Sequence, residues 1–205
     1  MVLNIPFRRT LKDPEYYRQQ IDSVVRHIKL SPMEFLIFTS STSVYPASLE
    51  AVSEDVAFVP DHPRSKVLHA IERSLLANQN FRATVIRFSG LYGEKRKIGA
   101  ILAGRSGLAD GDAPVNLIHL DDCVEIMAQV IQKDIRGEVF NACSDGHPTR
   151  REIYTRAAKF YGLKPPQFTD QAQTRFKIVQ NTKLKKQLDY TFMHPDPMVF
   201  EPSKL

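Results

Sequence analysis

A run of hydroxyl residues follows an apolar segment early in this sequence and supplies its clearest candidates for chemistry. Residues 35–38 are FLIF, and the next five are TSSTS. Parallel α/β sheets bind ligands at the carboxyl ends of their strands, where such hydroxyls can contact a substrate or a cofactor. The alternative interpretation is local, because Ser and Thr also satisfy the backbone of a loop that follows a strand.

A histidine and a lysine four residues apart form a second candidate group. His62 and Lys66 lie in the segment DHPRSK. Histidine titrates near pH ~6.5 and can exchange protons close to neutrality. However, the proline that follows His62 favours an extended backbone, and Asp61 precedes it. A surface histidine beside an exposed helix lysine is therefore the favoured interpretation of the residues themselves.

Glycine is missing from the whole first part of the sequence. The first glycine is Gly90. A dinucleotide fold needs an early Gly-rich turn, so that backbone amides can approach the pyrophosphate. The sequence therefore predicts the middle and end of a nucleotide enzyme, truncated at its N-terminus.

Strand and helix patterns alternate along the chain. Strands are predicted at 2–7, 34–40, 83–88, 115–120 and 138–143, with helices between them. Helix starts are indicated at Asp13-Pro14, at Asp121 or Asp122, and at Thr149, whose capping box is completed by Glu152. The helix that starts at Asp121 or Asp122 is predicted to bury Val124, Met127, Val130 and Ile131. The fold class is α/β: a partial Rossmann-like, doubly wound parallel sheet from strand four onward, with a small C-terminal α+β lobe. We assign 1–93 and 115–145 to the Rossmann part, and 94–114 and 146–205 to the lobe.

Composition narrows the class of protein. The 205 residues are 42% hydrophobic and 25% charged, as in ordinary globular proteins. No apolar run approaches the ~20 residues of a membrane span. Cys123 and Cys143 are too few for a disulfide framework, which favours the cytoplasm. No close His/Cys grouping occurs, so no metal site is predicted.

Positive charge is concentrated near the C-terminus. Residues 150–205 contain 11 Lys/Arg and 5 Asp/Glu, within a net charge of +5 for the chain. Such a region can attract a phosphate-bearing small molecule or nucleic acid. A solvated basic surface is favoured over nucleic-acid binding, since no stacking aromatics accompany Lys183, Lys185 and Lys186.

Five motifs occur in the order found in a known family. They are IFTSSTSVYP, SKVLHAIERSL, VIRFSGLYG, VNLIHLDDCVEIM and VFNACSDGHPTRREIY. In these segments the chain resembles extended (atypical) short-chain dehydrogenases/reductases, the NAD-dependent epimerase/dehydratase-like proteins. The resemblance implies a Rossmann domain, a substrate-gripping C-terminal lobe and hydride transfer through NAD or NADP.

The resemblance also implies roles for individual residues. It places the catalytic serine at Ser41 and the lysine of the YxxxK motif at Lys66, where His62 stands in the position of the tyrosine. Residues expected beside the cofactor are Ser40, Lys66, Phe88, Ser89 and Gly90, and those expected beside the substrate are Tyr92 and His119. Gly90 and Gly93 alternatively allow a tight strand exit, and Asp121 or Asp122 alternatively caps a helix.

Three functions follow from these features. The first is an NAD(P)-dependent nucleotide-sugar epimerase/dehydratase-type oxidoreductase that is weak or inactive alone, because it lacks the Gly-rich turn and the YxxxK tyrosine. The second is a non-catalytic scaffold that forms a homo-oligomer through the strand 2–7 edge, since an unpaired edge favours association. The third is a nucleic-acid binder that uses the basic C-terminal region.

Overall fold

The computed structural model describes residues 1–7, 13–28, 30–47, 50–93, 96–170 and 175–199. The strands are β1 (Val2–Leu3), β2 (Phe35–Ser41), β3 (Ala51–Val52), β4 (Arg82–Phe88), β5 (Gly90–Tyr92), β6 (Leu117–His119), β7 (Val139–Ala142) and β8 (Ile178–Val179). The helices are α1 (Pro14–Ile28), α2 (Pro63–Leu76), α3 (Leu120–Gln132), α4 (Arg150–Phe160) and α5 (Thr182–Leu188). Short 3-10 helices cover Thr42–Val44 and Ile98–Ile101.

A four-stranded parallel sheet organises the described part of the chain. Its strand order is β1-β2-β4-β7. The central strand β4 is buried after its first residue, and β2 is buried or partly buried throughout, as expected when helices cover both faces of a parallel sheet. This arrangement confirms the α/β, Rossmann-like fold class.

Two apolar cores lie on opposite faces of the sheet. On one face, Leu36, Phe38 and Val85 pack with buried residues of α1 and α2. On the other, Ile37, Ile86 and Phe140 pack with residues of α3 and α5. The split follows from the strand period of two, which directs successive side chains to opposite faces.

A smaller core forms where α4 meets strands β5 and β6. It contains Tyr92, Ile98, Leu117, Ile153 and Ala157. Gly99 allows this packing, because a Cβ there would lie 2.6 Å from the backbone carbonyl carbon of Ala157. The contact therefore requires a residue without a side chain.

The first of the predicted strands is shorter than expected, whereas two of the predicted helix starts are confirmed. Only Val2–Leu3 of the predicted strand 2–7 is in β1. Asp13 accepts a hydrogen bond from the backbone N–H of Glu15, and the Thr149–Glu152 capping box is complete.

The predictions for α3 were wrong in two respects. His119 is its N-cap, and its ring accepts a hydrogen bond from the backbone N–H of Asp121. The helix thus begins before both aspartates, and the buried face is rotated relative to the prediction. The buried residues are Asp122, Cys123, Ile126 and Val130, while Val124 is 64% and Ile131 53% exposed.

The C-terminal residues do not all lie apart from the main sheet. Leu184 and Leu188 of α5 belong to the core on the β7 side, while α4 packs on the smaller core. The division into a Rossmann part and a substrate lobe stays a prediction. No helix among the described residues is long and apolar enough to span a membrane.

Candidate functional site

Three polar side chains form a row across the carboxyl ends of the central strands. Ser40 of β2 is in register with Arg87 of β4, which is in register with Asn141 of β7. Residues in register on parallel strands point to the same face. Here that face is the one covered by α2, so the row lies under the helix at the ligand-binding edge of the sheet.

Arg87 and Glu72 of α2 form a buried ion pair in this row. Arg87 Nη2 lies 2.8 Å from Glu72 Oε2, and the side chains are only 6% and 1% exposed. Burial alone would lower the pKa of Arg87, but hydrogen bonds and the charge of Glu72 hold that pKa above its usual value. Ser40 Oγ also donates a short hydrogen bond to Glu72, so the hydroxyl predicted beside the cofactor is already engaged.

Tyr45 extends the network towards β7. Its hydroxyl accepts from Arg87 Nη1 at 2.6 Å and donates to Asn141 Oδ1 at 2.9 Å. The backbone N–H of Asn141 donates in turn to Glu54 Oε1 at 2.7 Å. Desolvation raises the pKa of Tyr45 despite the nearby Arg87 cation, so this phenol stays protonated near neutrality.

Sequence reasoning missed this network, although its residues carried a signal. Arg87 interrupts the apolar end of its strand, and Glu72 lies between the core residues Leu68 and Leu75 on the inner face of its helix. Charged residues are seldom fully buried unless they are paired. A charge among the apolar positions of each of two consecutive elements could therefore have indicated a buried pair.

Ser41 lies at the end of β2, half-buried beside the turn that follows. Its hydroxyl accepts a hydrogen bond from the backbone N–H of Ser43 at 3.1 Å and caps the Thr42–Val44 helix. The same turn is held from the other side by Lys177, whose Nζ donates to the carbonyl oxygens of Thr42 and Tyr45 at 2.9 and 2.6 Å. The observed contact of Ser41 is therefore the one expected if its hydroxyl satisfies the backbone of the loop after the strand. Its catalytic role stays a prediction.

His62 and Lys66 sit at the start of α2, which contacts the turn capped by Ser41 through a hydrogen bond from Ser65 Oγ to Ser43 O at 2.7 Å. The His62 ring is the N-cap of α2 and accepts from the backbone N–H of Arg64 at 3.2 Å. Lys66 is exposed on the first turn. Within the described part of the chain, no side-chain hydrogen bond joins Ser41, His62 and Lys66.

The segment after β4 is fixed by backbone contacts. Ser89 N donates to Ala142 O, and Gly90 N donates to Asn116 O, both at 3.0 Å. A Cβ at Gly90 would lie 3.0 Å from the Leu117 side chain. Gly90 therefore permits close approach to β6, in agreement with the strand-exit interpretation, and Phe88 is buried at the end of β4.

Tyr92 and His119, the two predicted substrate contacts, are neighbours. Their rings meet edge to face with centroids 5.0 Å apart. Burial raises the pKa of Tyr92 well above its usual value, which keeps its phenol neutral. The structure brings these two residues together, while their role towards a substrate stays a prediction.

Asp122 attaches the C-terminal segment beside this pair. The carboxylate is fully buried, and it accepts from Tyr190 OH at 2.7 Å and from the backbone N–H groups of Met193 and His194 at 2.8 and 3.1 Å. Three donors satisfy a charge that would be costly to bury alone. Asp122 thus anchors the C-terminal segment and is not the helix cap that one interpretation of the sequence assigned.

Comparison with known proteins places this chain in a family. The sequence pattern of the NAD dependent epimerase/dehydratase family matches residues 9–143. The chain belongs to this family. It is 31% identical over 200 residues to Protein YeeZ of Escherichia coli K12, a match that covers 97% of this chain and 73% of that protein.

Solved structures share the fold at low identity. A conserved protein of unknown function from Silicibacter pomeroyi superposes with a TM-score of 0.75 at 21% identity, covering 87% of this chain and 69% of that one. The UDP-glucuronic acid 4-epimerase from Bacillus cereus, solved with UDP-glucuronic acid and NAD, gives a TM-score of 0.71 at 20% identity, covering 85% and 62%. These matches confirm the sheet architecture predicted from the sequence.

Proposed function

We propose that the chain forms the substrate side of an NAD(P)-dependent nucleotide-sugar epimerase/dehydratase site, and that it is weak or inactive in hydride transfer by itself. The position of His62 carries this proposal. In the family motif a tyrosine stands there, whereas this histidine caps α2, and its Nδ1 accepts a hydrogen bond from the Arg64 N–H. A proton relay needs its groups within hydrogen-bond reach of one another.

The cofactor contacts proposed for this chain are those at the nicotinamide end of a dinucleotide. When bound, NAD or NADP accepts or returns a hydride. The half-buried hydroxyl of Ser41 could contact that reacting end or the substrate. The N–H groups of Ser89 and Gly90 are already bonded to carbonyl oxygens, so they offer nothing to a pyrophosphate. We therefore expect weak cofactor binding.

Nucleotide-sugar binding is proposed because solved relatives of the fold hold such ligands. UDP-glucuronic acid occupies the Bacillus cereus enzyme, and UDP-glucose occupies MoeE5. In this chain the partly exposed His119 ring packs edge to face on the buried Tyr92 near the carboxyl edge. Contact and hydrogen bonding by an imidazole held in this way suit a sugar or a base.

Titration calorimetry with UDP-glucuronic acid, NAD⁺ and NADP⁺ tests the proposal. We expect measurable UDP-glucuronic acid binding that Ser41→Ala weakens about three- to tenfold, the value of one hydrogen bond. Ser74→Ala, on the exposed side of α2, is the matched control. Tight binding of either cofactor, or steady NADH formation from the sugar nucleotide, would overturn the claim of weak activity. Absence of sugar-nucleotide binding would overturn the substrate assignment.

The two other functions receive less support. Lys183 is paired with Glu138 at 2.8 Å and Lys185 with Asp145 at 3.0 Å. Two of the three clustered lysines are thus locally neutralised, which weakens their attraction for nucleic acid. Self-association would have to use β1, which presents only Val2–Leu3 as a strand. That oligomer stays a prediction.

A further inference from the structure

Two imidazoles and one carboxylate converge at the N-terminus of α3. The Asp121 oxygen Oδ2 lies 3.4 Å from His119 Nδ1 and 3.4 Å from His194 Nε2. One ligand atom from each residue falls within 4.8 Å of the other two. The two histidine rings are also in contact, with centroids 3.8 Å apart.

These separations match the edges of a metal coordination sphere. Zinc bonds to His nitrogen and carboxylate oxygen at about 2.0–2.2 Å, so that neighbouring ligand atoms of a tetrahedron lie about 3.4 Å apart. Hydrogen bonds between the same atoms would be about 0.4 Å shorter or more. The observed 3.4 Å distances match such an edge, and an ion bound to His119 Nδ1 would replace the hydrogen bond that this nitrogen accepts from the Asp121 N–H.

The backbone holds the three residues in place. His119 is fixed between β6 and α3, and its ring rests against Tyr92. His194 is fixed because its own N–H and that of Met193 bond to the buried Asp122. The two adjacent aspartates therefore have different roles. Asp122 points inward and anchors the C-terminal segment, whereas the Asp121 side chain is 63% exposed and faces the two rings.

We propose that His119, Asp121 and His194 bind a divalent first-row transition metal, with Zn²⁺ as the reference ion. Imidazole nitrogens suit zinc, cobalt and nickel better than magnesium or calcium. Three protein ligands leave at least one position for water. The ion would connect the C-terminal segment to the start of α3. Spacing in the sequence gave no sign of the site, because the fold alone brings His194 to the other two residues.

Metal titration of the tag-free chain tests this site. After dialysis against EDTA and removal of the chelator, we expect one Zn²⁺ per chain by calorimetry and a tetrahedral Co²⁺ absorption spectrum. His194→Ala and Asp121→Asn should each weaken binding by about 100-fold or more, since even loss of an outer-shell partner costs about 10–100-fold. His27→Ala is the control, because this exposed histidine lies on α1.

Melting in EDTA separates a lost ligand from a lost fold. The site is supported if His194→Ala has the melting temperature of the wild type in EDTA, and if Zn²⁺ raises the melting temperature of the wild type but not that of the variant. Should that variant not fold, His194→Asn provides the same comparison. The proposal is overturned if no stoichiometric binding occurs, or if the His194 and Asp121 variants bind Zn²⁺ as the wild type and His27→Ala do.

Discussion

Arg87 and Glu72 place two full charges where neighbouring residues are apolar. The guanidinium also lies over the Tyr45 ring, 4.9 Å from its centroid, and the carboxylate receives the Ser40 hydroxyl. A buried pair contributes little net stability relative to apolar residues, but loss of one partner leaves the other charge without compensation. The row thus fixes where the carboxyl ends of β2 and β4 lie relative to α2.

Glu72→Gln should lower the free energy of unfolding by about 3 kcal/mol or more, because Arg87 would remain charged and buried. Urea unfolding followed by circular dichroism measures the change. Glu15→Gln is the control, since Glu15 pairs with Arg18 at 4.0 Å with both side chains about half exposed, and its loss should cost under about 1 kcal/mol. Adding Arg87→Met to Glu72→Gln should recover part of the stability. A loss no larger than that of the control would contradict this account.

For individual residues, the sequence predicted their places in the fold better than their hydrogen-bond partners. The hydroxyls after β2 were expected at a strand end, and that is where they lie. The bond from Ser40 to Glu72 could not be foreseen, because it joins residues of different elements. The roles of Ser41, His62 and Lys66 depend on the same kind of tertiary contact.

Element boundaries were predictable wherever a local signal fixes them. The Thr149–Glu152 box and the Asp13-Pro14 start are complete within a few residues, and both are observed. For α3 the sequence offered two aspartates, whereas the cap is the less common His119. The buried face of the helix includes Asp122, whose polar side chain the apolar pattern could not indicate, and Val124 and Ile131 are exposed rather than buried.

Gly99→Ala should destabilise the contact between the Ile98–Ile101 helix and α4. The added Cβ would meet the Ala157 backbone at 2.6 Å, and overpacking of this kind costs about 1–3 kcal/mol. Gly111→Ala is a matched control, since its Cβ would meet only the movable Arg151 guanidinium, 2.8 Å away. Thermal melts of both variants test the difference. Equal losses would show that the close approach is not the cause.

Across the whole molecule, Lys177 joins the segment before β8 to the turn after β2. Its two hydrogen bonds span more than 130 residues of sequence. Burial lowers the pKa of this amine to about 8, although Asp61 acts in the opposite sense. Position in the sequence gave no indication of this contact, because only the completed fold brings the two segments together.

The contribution of Lys177 to the free energy of unfolding should rise with pH. A lysine in the unfolded chain titrates near pH ~10.4, whereas folded Lys177 titrates at about 8. Between these values the unfolded state binds more protons, so the free energy of unfolding increases by up to about 1.4 kcal/mol per pH unit. Lys177→Met removes this pH-dependent contribution to stability. The stability difference, wild type minus variant, should therefore grow from pH 8 to pH 10 in urea titrations; a constant difference would argue against a depressed pKa.

The contact between Glu54 and Asn141 has a consequence for growth of the sheet. The Asn141 N–H on the outer side of β7 is occupied by a carboxylate, so an incoming strand would meet a negative charge in place of a free donor. Among the described residues, only the β1 side of the sheet can therefore accept another strand. Two molecules joined through that side would close on each other as a pair, and head-to-tail stacking into a fibre would be blocked after the first contact.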